Sequence, residues 1–387
     1  MAILKKLNAE TGEYESVYDF GGSVPSETVS TKKPNPIAFN FSPIVDAIEA
    51  NGELTAEYHA ISDSFGVLQY VGGICVNKKI YCCPNSADNV LVYDTENDIL
   101  YKVGSGLGTN QFKWTGCIYW DGYVYCIARG VNSMLRIDPI TDVVEKINLG
   151  TKYAVNPYAD YRDSHHYCGA ISDQGYLYSP PTYYGLPTSN KLLKINMRDF
   201  TWAELDFPRG CSGAVKHPTE NKIIFLSSEG FILWNCDDDT YTDLADGTSR
   251  GCFDMVYDPR YNALIGAYPN HFVALKLDDY SIIDSDSISG ITTGYGVTLG
   301  LDGKVYHLEG NKAYNVTFDG TKFTQGTTVT ASNTVNGSTP ILAGQAIDND
   351  GNIYGIPASG AMTKLTFTGV KRKLPDYIVS SQHYGKY

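Results

Sequence analysis

Ile80-Tyr81-Cys82, Val124-Tyr125-Cys126, Leu177-Tyr178-Ser179, Ile224-Phe225-Leu226, Leu264-Ile265-Gly266, Val305-Tyr306-His307 and Ile353-Tyr354-Gly355 are seven copies of one short apolar strand. Counted from the central residue of each, they stand 44, 53, 47, 40, 41 and 48 residues apart. An interval of that size holds four short strands and their turns, which is one blade of a β-propeller. A single blade cannot bury both of its faces, whereas a closed ring of blades can. The chain is therefore expected to be all-β, a seven-bladed β-propeller.

Working outward from that strand, each repeat reads as four. The strand before it is small and apolar, as in Gly73-Ile74-Cys75-Val76, Gly116-Cys117-Ile118-Tyr119 and Gly344-Gln345-Ala346-Ile347. The two are joined through Asp121-Gly122, Gln174-Gly175, Asp302-Gly303 or Asp350-Gly351, dipeptides suited to the positive φ of a tight hairpin. A third strand follows, as in Val90-Leu91-Val92-Tyr93 and Phe231-Ile232-Leu233-Trp234, and then a more polar fourth, as in Tyr101-Lys102-Val103 and Glu145-Lys146-Ile147. Such a gradient is expected of strands running from ring centre to rim.

The 387 residues exceed what six blades require, and 38 Gly and 30 Tyr suit an all-β chain. A net charge of −13 argues against nucleic acid or an anionic membrane as partner, since both need a basic face. The one basic cluster, Lys371-Arg372-Lys373, is too short to change that. After Met1 only three apolar residues precede Lys5-Lys6, so no secretory core is visible, and no stretch approaches a membrane span.

Nine cysteines agree with a reducing compartment. Cys75, Cys117, Cys168, Cys211 and Cys252 fall on first strands and Cys82 and Cys126 on second strands, where they read as small buried hydrophobes near the ring centre. With no CxxC spacing, no metal site and no cofactor are expected. Adjacent Cys82 and Cys83 face opposite sides of a strand and suit neither a shared metal nor a relaxed disulfide.

Residues 1–66 stand outside the repeat and read as a small attachment module, with the propeller at 67–372 and a tail at 373–387. Residues 2–20 resemble an extra copy of a third and fourth strand. Either that hairpin completes the last blade, or it is spare because the last blade owns an outer hairpin at Met362–Lys371; the second is the expectation. A Gly-, Pro- and Ser-rich connector follows, then a helix capped by Ser42, with Pro43 in its first turn, Ile44, Val45, Ala47 and Ile48 on one face, and Gly52 ending it.

The longest interval lies before Tyr178 and carries two insertions, 152–167 ahead of the third blade and 180–190 between its second and third strands. Both connection types leave a propeller on the same face. Together they collect tyrosines with directed polar groups, and Tyr158, Tyr161, Tyr183 and Tyr184 are the expected aromatic platforms, with Arg162, Asp163 and His166 as polar partners. Tyrosine offers flat apolar area with a hydroxyl handle, which suits sugars and protein surfaces. No Gly-x-Ser-x-Gly, His-Glu-x-x-His or phosphate-loop pattern is present, and the carboxylate pair of a glycosidase is not legible in one dimension. An enzyme is therefore disfavoured, and no catalytic residue is assigned. Lone His217, His271 and His307 read as structural. Asp348-Asn349-Asp350-Gly351-Asn352 has oxygen ligands at alternate positions, but Ser359 stands where a calcium loop needs Glu, so it reads as a hairpin turn.

The opening Ile3-Leu4-Lys5-Lys6-Leu7-Asn8-Ala9-Glu10-Thr11-Gly12-Glu13-Tyr14-Glu15-Ser16-Val17 resembles the short N-terminal hairpin of many bacteriophage tail, baseplate and fibre proteins. The remainder resembles kelch- and NHL-like propellers in period and strand order, without the kelch double glycine in every blade. The resemblance implies a virion component made in the host cytoplasm, joined to other virion proteins through residues 1–66. The propeller would then be displayed toward a host-surface glycan or protein. The alternative from another class is a carbohydrate-active propeller enzyme, a polysaccharide lyase or glycosidase.

Overall fold

Seven antiparallel sheets follow one another along the chain in the computed structural model, which describes residues 2–7, 14–20, 42–51, 54–61, 66, 68–150, 169–181, 191–245, 247–248, 252–332 and 340–369. Blade 1 is Tyr70–Val76, Lys79–Pro84, Val90–Asp94 and Ile99–Val103; blade 2 is Trp114–Trp120, Tyr123–Ala128, Ser133–Ile137 and Val144–Asn148. Blade 3 is Ala170–Ile171, Tyr176–Ser179, Lys191–Asn196 and Trp202–Asp206; blade 4 is Gly213–Lys216, Lys222–Ser227, Gly230–Asn235 and Thr240–Ala245. Blade 5 runs from Met255–Asp258 to Ile282–Asp284, and blade 6 from Thr298–Leu299 to Phe323–Gln325, with Val329–Thr330 also pairing its third strand. Blade 7 takes Ile341–Ile347, Ile353–Ser359 and Thr363–Thr368 from the C-terminal side and its fourth strand, Thr55–Ala60, from the N-terminal side. The protein is an all-β, seven-bladed propeller.

The closing strand draws the domain boundary differently from the sequence. Only Thr363–Thr368 of the expected outer hairpin forms a strand, and the strand beside it is Thr55–Ala60, paired over six residues from Thr55↔Thr368 to Ala60↔Thr363. The chain divides into residues 1–39 and 40–387, so the helix Ser42–Asn51 and the closing strand belong with the ring. Ala47 and Ile48 of that helix are buried in the same core cluster as Leu301, Val305 and Tyr306 of blade 6. Taken by itself, the N-terminal unit pairs Ala2–Leu7 with Tyr14–Phe20 in a two-stranded sheet of its own.

Burial follows the expected gradient. The first strand of blade 1 is buried at every position, whereas the fourth strands Ile99–Val103 and Val144–Asn148 are exposed or half-buried throughout. The centre is narrow enough to exclude side chains from parts of the first strands. A Cβ on Gly72 would lie 2.6 Å from Gly116 Cα, and one on Gly213 would lie 2.3 Å from the Phe253 carbonyl oxygen. Gly72, Gly116 and Gly344 all take positive φ at bulges in their strands, so glycine here allows both the conformation and the close approach.

The tyrosines of the repeated strand have a task that the repeat itself does not reveal. Tyr81 and Tyr178 donate across a blade boundary, to Asp142 of blade 2 at 2.7 Å and Asp239 of blade 4 at 2.8 Å. Tyr306 and Tyr354 instead donate within their own blades to Asp302 and Asp348, each at 2.8 Å. Burial and the carboxylate partner both push these phenols above their ordinary range.

Candidate functional site

In each blade the first strand starts at the same edge, here called upper, and the connections between blades and between second and third strands lie there. In blade 3 the residues bounding both insertions meet at this edge. Ala170 pairs with Tyr178 and Ser179 with Leu193, while the Pro181 carbonyl accepts from Cys211 N at 2.8 Å. The insertions themselves, with Tyr158, Tyr161, Arg162, Asp163, His166, Tyr183 and Tyr184, lie outside the described residues.

Described residues build a second feature at the upper edge, which sequence reading missed. Phe253 and Tyr295 precede the first strands of blades 5 and 6 and stack with ring centroids 4.5 Å apart and planes at 28°. Both are half-buried. Tyr295 also packs on the buried cluster of Val71, Ala343 and Ala358 from blades 1 and 7. An aromatic pair over an apolar rim therefore stands where the first strands of four blades begin. The signal in sequence is positional only: Phe253, Tyr295, Val71 and Ala343 each lie three residues before the partner of the repeated strand's central residue.

Polar groups fix this rim. The Gly296 carbonyl, next to Tyr295, meets His307 Nδ1 at 2.7 Å and accepts from Gln345 Nε2. His307 Nε2 is 3.2 Å from Glu309 Oε2, and that carboxylate also accepts from Thr292 N at 2.7 Å, Thr293 N at 3.3 Å and the Thr292 hydroxyl. Burial pushes the Glu309 carboxyl up, but His307 and the Thr292 donors outweigh it and hold Glu309 below its usual range. His307 thus has both ring nitrogens engaged. It ties the loop carrying Tyr295 to the second strand of blade 6.

The other singled-out residues are engaged locally. His217 is buried, its Nδ1 accepts from Glu220 N at 3.1 Å, and burial lowers it to about 4. His271 stacks on Tyr268 at 5.0 Å. In the acidic loop, Asp348 Oδ1 accepts from Asp350 N and Asn352 N, and its Oδ2 from Asn352 Nδ2 and Tyr354 Oη. Both oxygens serve the turn, as in other side-chain-capped turns.

No protein-family model matches the chain, and no curated protein matches it. Solved structures do. A streptogramin B lyase superposes with a TM-score of 0.60 at 14% identity, over 81% of this chain and 98% of that one. A chain of the mitotic checkpoint complex gives 0.58 at 10%, covering 92% and 99%. Hydrazine synthase of Kuenenia stuttgartiensis gives 0.56 at 9%, covering 79% and 97%. The likeness is one of fold. Proteins this different share an architecture, and propellers host many unrelated activities, so function rests on the site. Among the described residues no helix is long and apolar enough to cross a membrane.

Proposed function

We propose that this chain is a non-catalytic attachment component of a bacteriophage particle. Its propeller presents a binding surface for a host-surface glycan or protein, and its N-terminal hairpin joins it to other virion proteins. The observation that supports this reading is the way the ring closes. Thr55–Ala60 supplies the last strand, so Ala2–Leu7 and Tyr14–Phe20 belong to no blade. Among the described residues this two-stranded sheet pairs with no third strand, and unpaired strand edges are the chemistry of strand-to-strand docking.

The binding surface lies on the upper face, where the Phe253–Tyr295 stack stands and where the described chain on either side of the tyrosine-rich insertions of blade 3 ends. Aromatic faces of this kind suit sugar rings and protein surfaces. Two measurements test the reading. Mass spectrometry of purified particles should contain the chain, and removing residues 1–39 should leave it folded but absent from particles. Labelled full-length protein should bind host cells, and Tyr161→Ala with Tyr184→Ala should abolish that binding while leaving the melting temperature nearly unchanged. A chain missing from purified particles sinks the virion reading. Release of unsaturated or reducing ends from host polysaccharide would instead establish the carbohydrate-active alternative.

A further inference from the structure

Sequence spacing disfavours a metal site, yet the fold brings three of the nine cysteines together. Cys83 lies on the second strand of blade 1, while Cys117 and Cys126 sit directly opposite each other on the first two strands of blade 2. All three are fully buried and free of disulfides. Their sulfurs lie within 4.8 Å of one another, and Cys117 Sγ is 3.8 Å from Cys126 Sγ. We propose that this cluster is a site for one soft monovalent metal ion, copper(I), held by the three cysteine sulfurs. The proposal is independent of the attachment role.

The triangle is close to the right size. A triangle of such sides has its centre about 2.2–2.8 Å from each corner, against a metal–thiolate bond of about 2.3 Å, so a contraction of about half an ångström suffices. Thiolates select soft ions, copper(I) and zinc among them. Zinc completes a tetrahedron with a fourth ligand. Among the described residues the group of His, Cys, Asp and Glu ligand atoms here is these three sulfurs, and the Tyr81 carbonyl oxygen, 3.7 Å from Cys117 Sγ, is a backbone group inside a paired strand. The packing around the cluster, including Ile74, Val90, Val92 and Trp114, is apolar. Three buried sulfurs suit a d¹⁰ ion that accepts trigonal coordination.

Charge is also accounted for. On binding, each coordinating S–H gives its proton to solvent and the sulfur keeps the electron pair for the metal. Copper enters and stays as copper(I), so no oxidant or reductant is needed. The resulting negative charge faces Lys113, a buried ammonium that interacts with Cys83 and is fixed by the Asn85 and Asn110 carbonyls at 3.2 and 3.0 Å.

The test is an overnight anaerobic competition of full-length protein against bicinchoninate-bound copper(I). Wild type should withdraw one copper per chain, and Cys117→Ser and Cys126→Ser should each lower retention at least tenfold. Cys211→Ser, a buried thiol of blade 4 outside the cluster, should retain it. X-ray absorption of the wild-type copper should show three sulfurs in a single shell at about 2.3 Å, and this result decides the question even if the variants fail to fold. No copper withdrawn by wild type, undiminished retention in Cys126→Ser, or a shell containing nitrogen or oxygen would overturn the proposal and leave the cluster as packing.

Discussion

Tyr81 Oη donates to Asp142 Oδ1 at 2.7 Å, joining the second strand of blade 1 to the outer turn of blade 2. The same carboxylate accepts from Lys79 Nζ and Tyr101 Oη, each at 2.8 Å. One aspartate therefore collects three donors from the neighbouring blade. Asp239 repeats the device with Tyr178 and Lys194, fastening blade 3 to blade 4.

Removing the hydroxyl in Tyr81→Phe should destabilise the ring by about 1.5–3 kcal/mol, the range for hydrogen bonds to charged groups. Asp142→Ala should be worse, because it leaves Lys79 and two phenols without their acceptor. Chemical denaturation of the single and double variants would show a positive coupling energy. Strict additivity would mean that the contact carries no stability.

Asp142 and Glu309 predict acid sensitivity. Burial raises both carboxyls, but Lys79, Tyr81 and Tyr101 for Asp142, and His307 and Thr292 for Glu309, hold them below their ordinary values. A carboxyl lowered by folding contributes fully above its unfolded value of about 4 and loses that contribution as pH falls through the folded value. Melting temperature should therefore drop between about pH 5 and 3, and Glu309→Gln should flatten part of that drop. An unchanged pH profile in Glu309→Gln would contradict the assignment.

Ring closure can be tested by truncation. Removing residues 1–39 should preserve a cooperative melt. Removing residues 1–60 takes away the six-residue strand on Thr363–Thr368, the buried Ala47 and Ile48, and Tyr58, whose hydroxyl reaches the Gly310 carbonyl at 3.0 Å. The bare edge should cause aggregation or loss of the cooperative transition. Equal stability of the two truncations would place the closing strand elsewhere.

A glycine pair separates backbone strain from packing. Gly72 and Gly106 both have positive φ, 78° and 75°, but only a Cβ on Gly72 meets backbone, whereas nothing lies within 4 Å of one on Gly106. Gly106→Ala should lose about 1–2 kcal/mol from strain alone. Gly72→Ala should lose about 1–3 kcal/mol more from overpacking. Equal losses in urea titrations would show that the blades can move apart.

The blade count, the strand order and the helix were legible because they follow from local chemistry. Alternation and turn residues declare a strand to itself, and at Asp121-Gly122 both residues take the positive φ that the dipeptide suggests. The sequence by itself therefore determined a ring of seven repeats and the place of each inner hairpin within it. Only the tertiary structure decided which distant segments meet. Thr55–Ala60 carries no mark of being the last strand, because its partners lie some three hundred residues away and strand pairing is read by register against a neighbour rather than by composition. The same holds for Cys83 with Cys117 and Cys126, for Phe253 with Tyr295, and for Tyr81 with Asp142. Each pair spans a blade boundary, and side chains that approach across such a boundary are set by how one twisted sheet packs on the next.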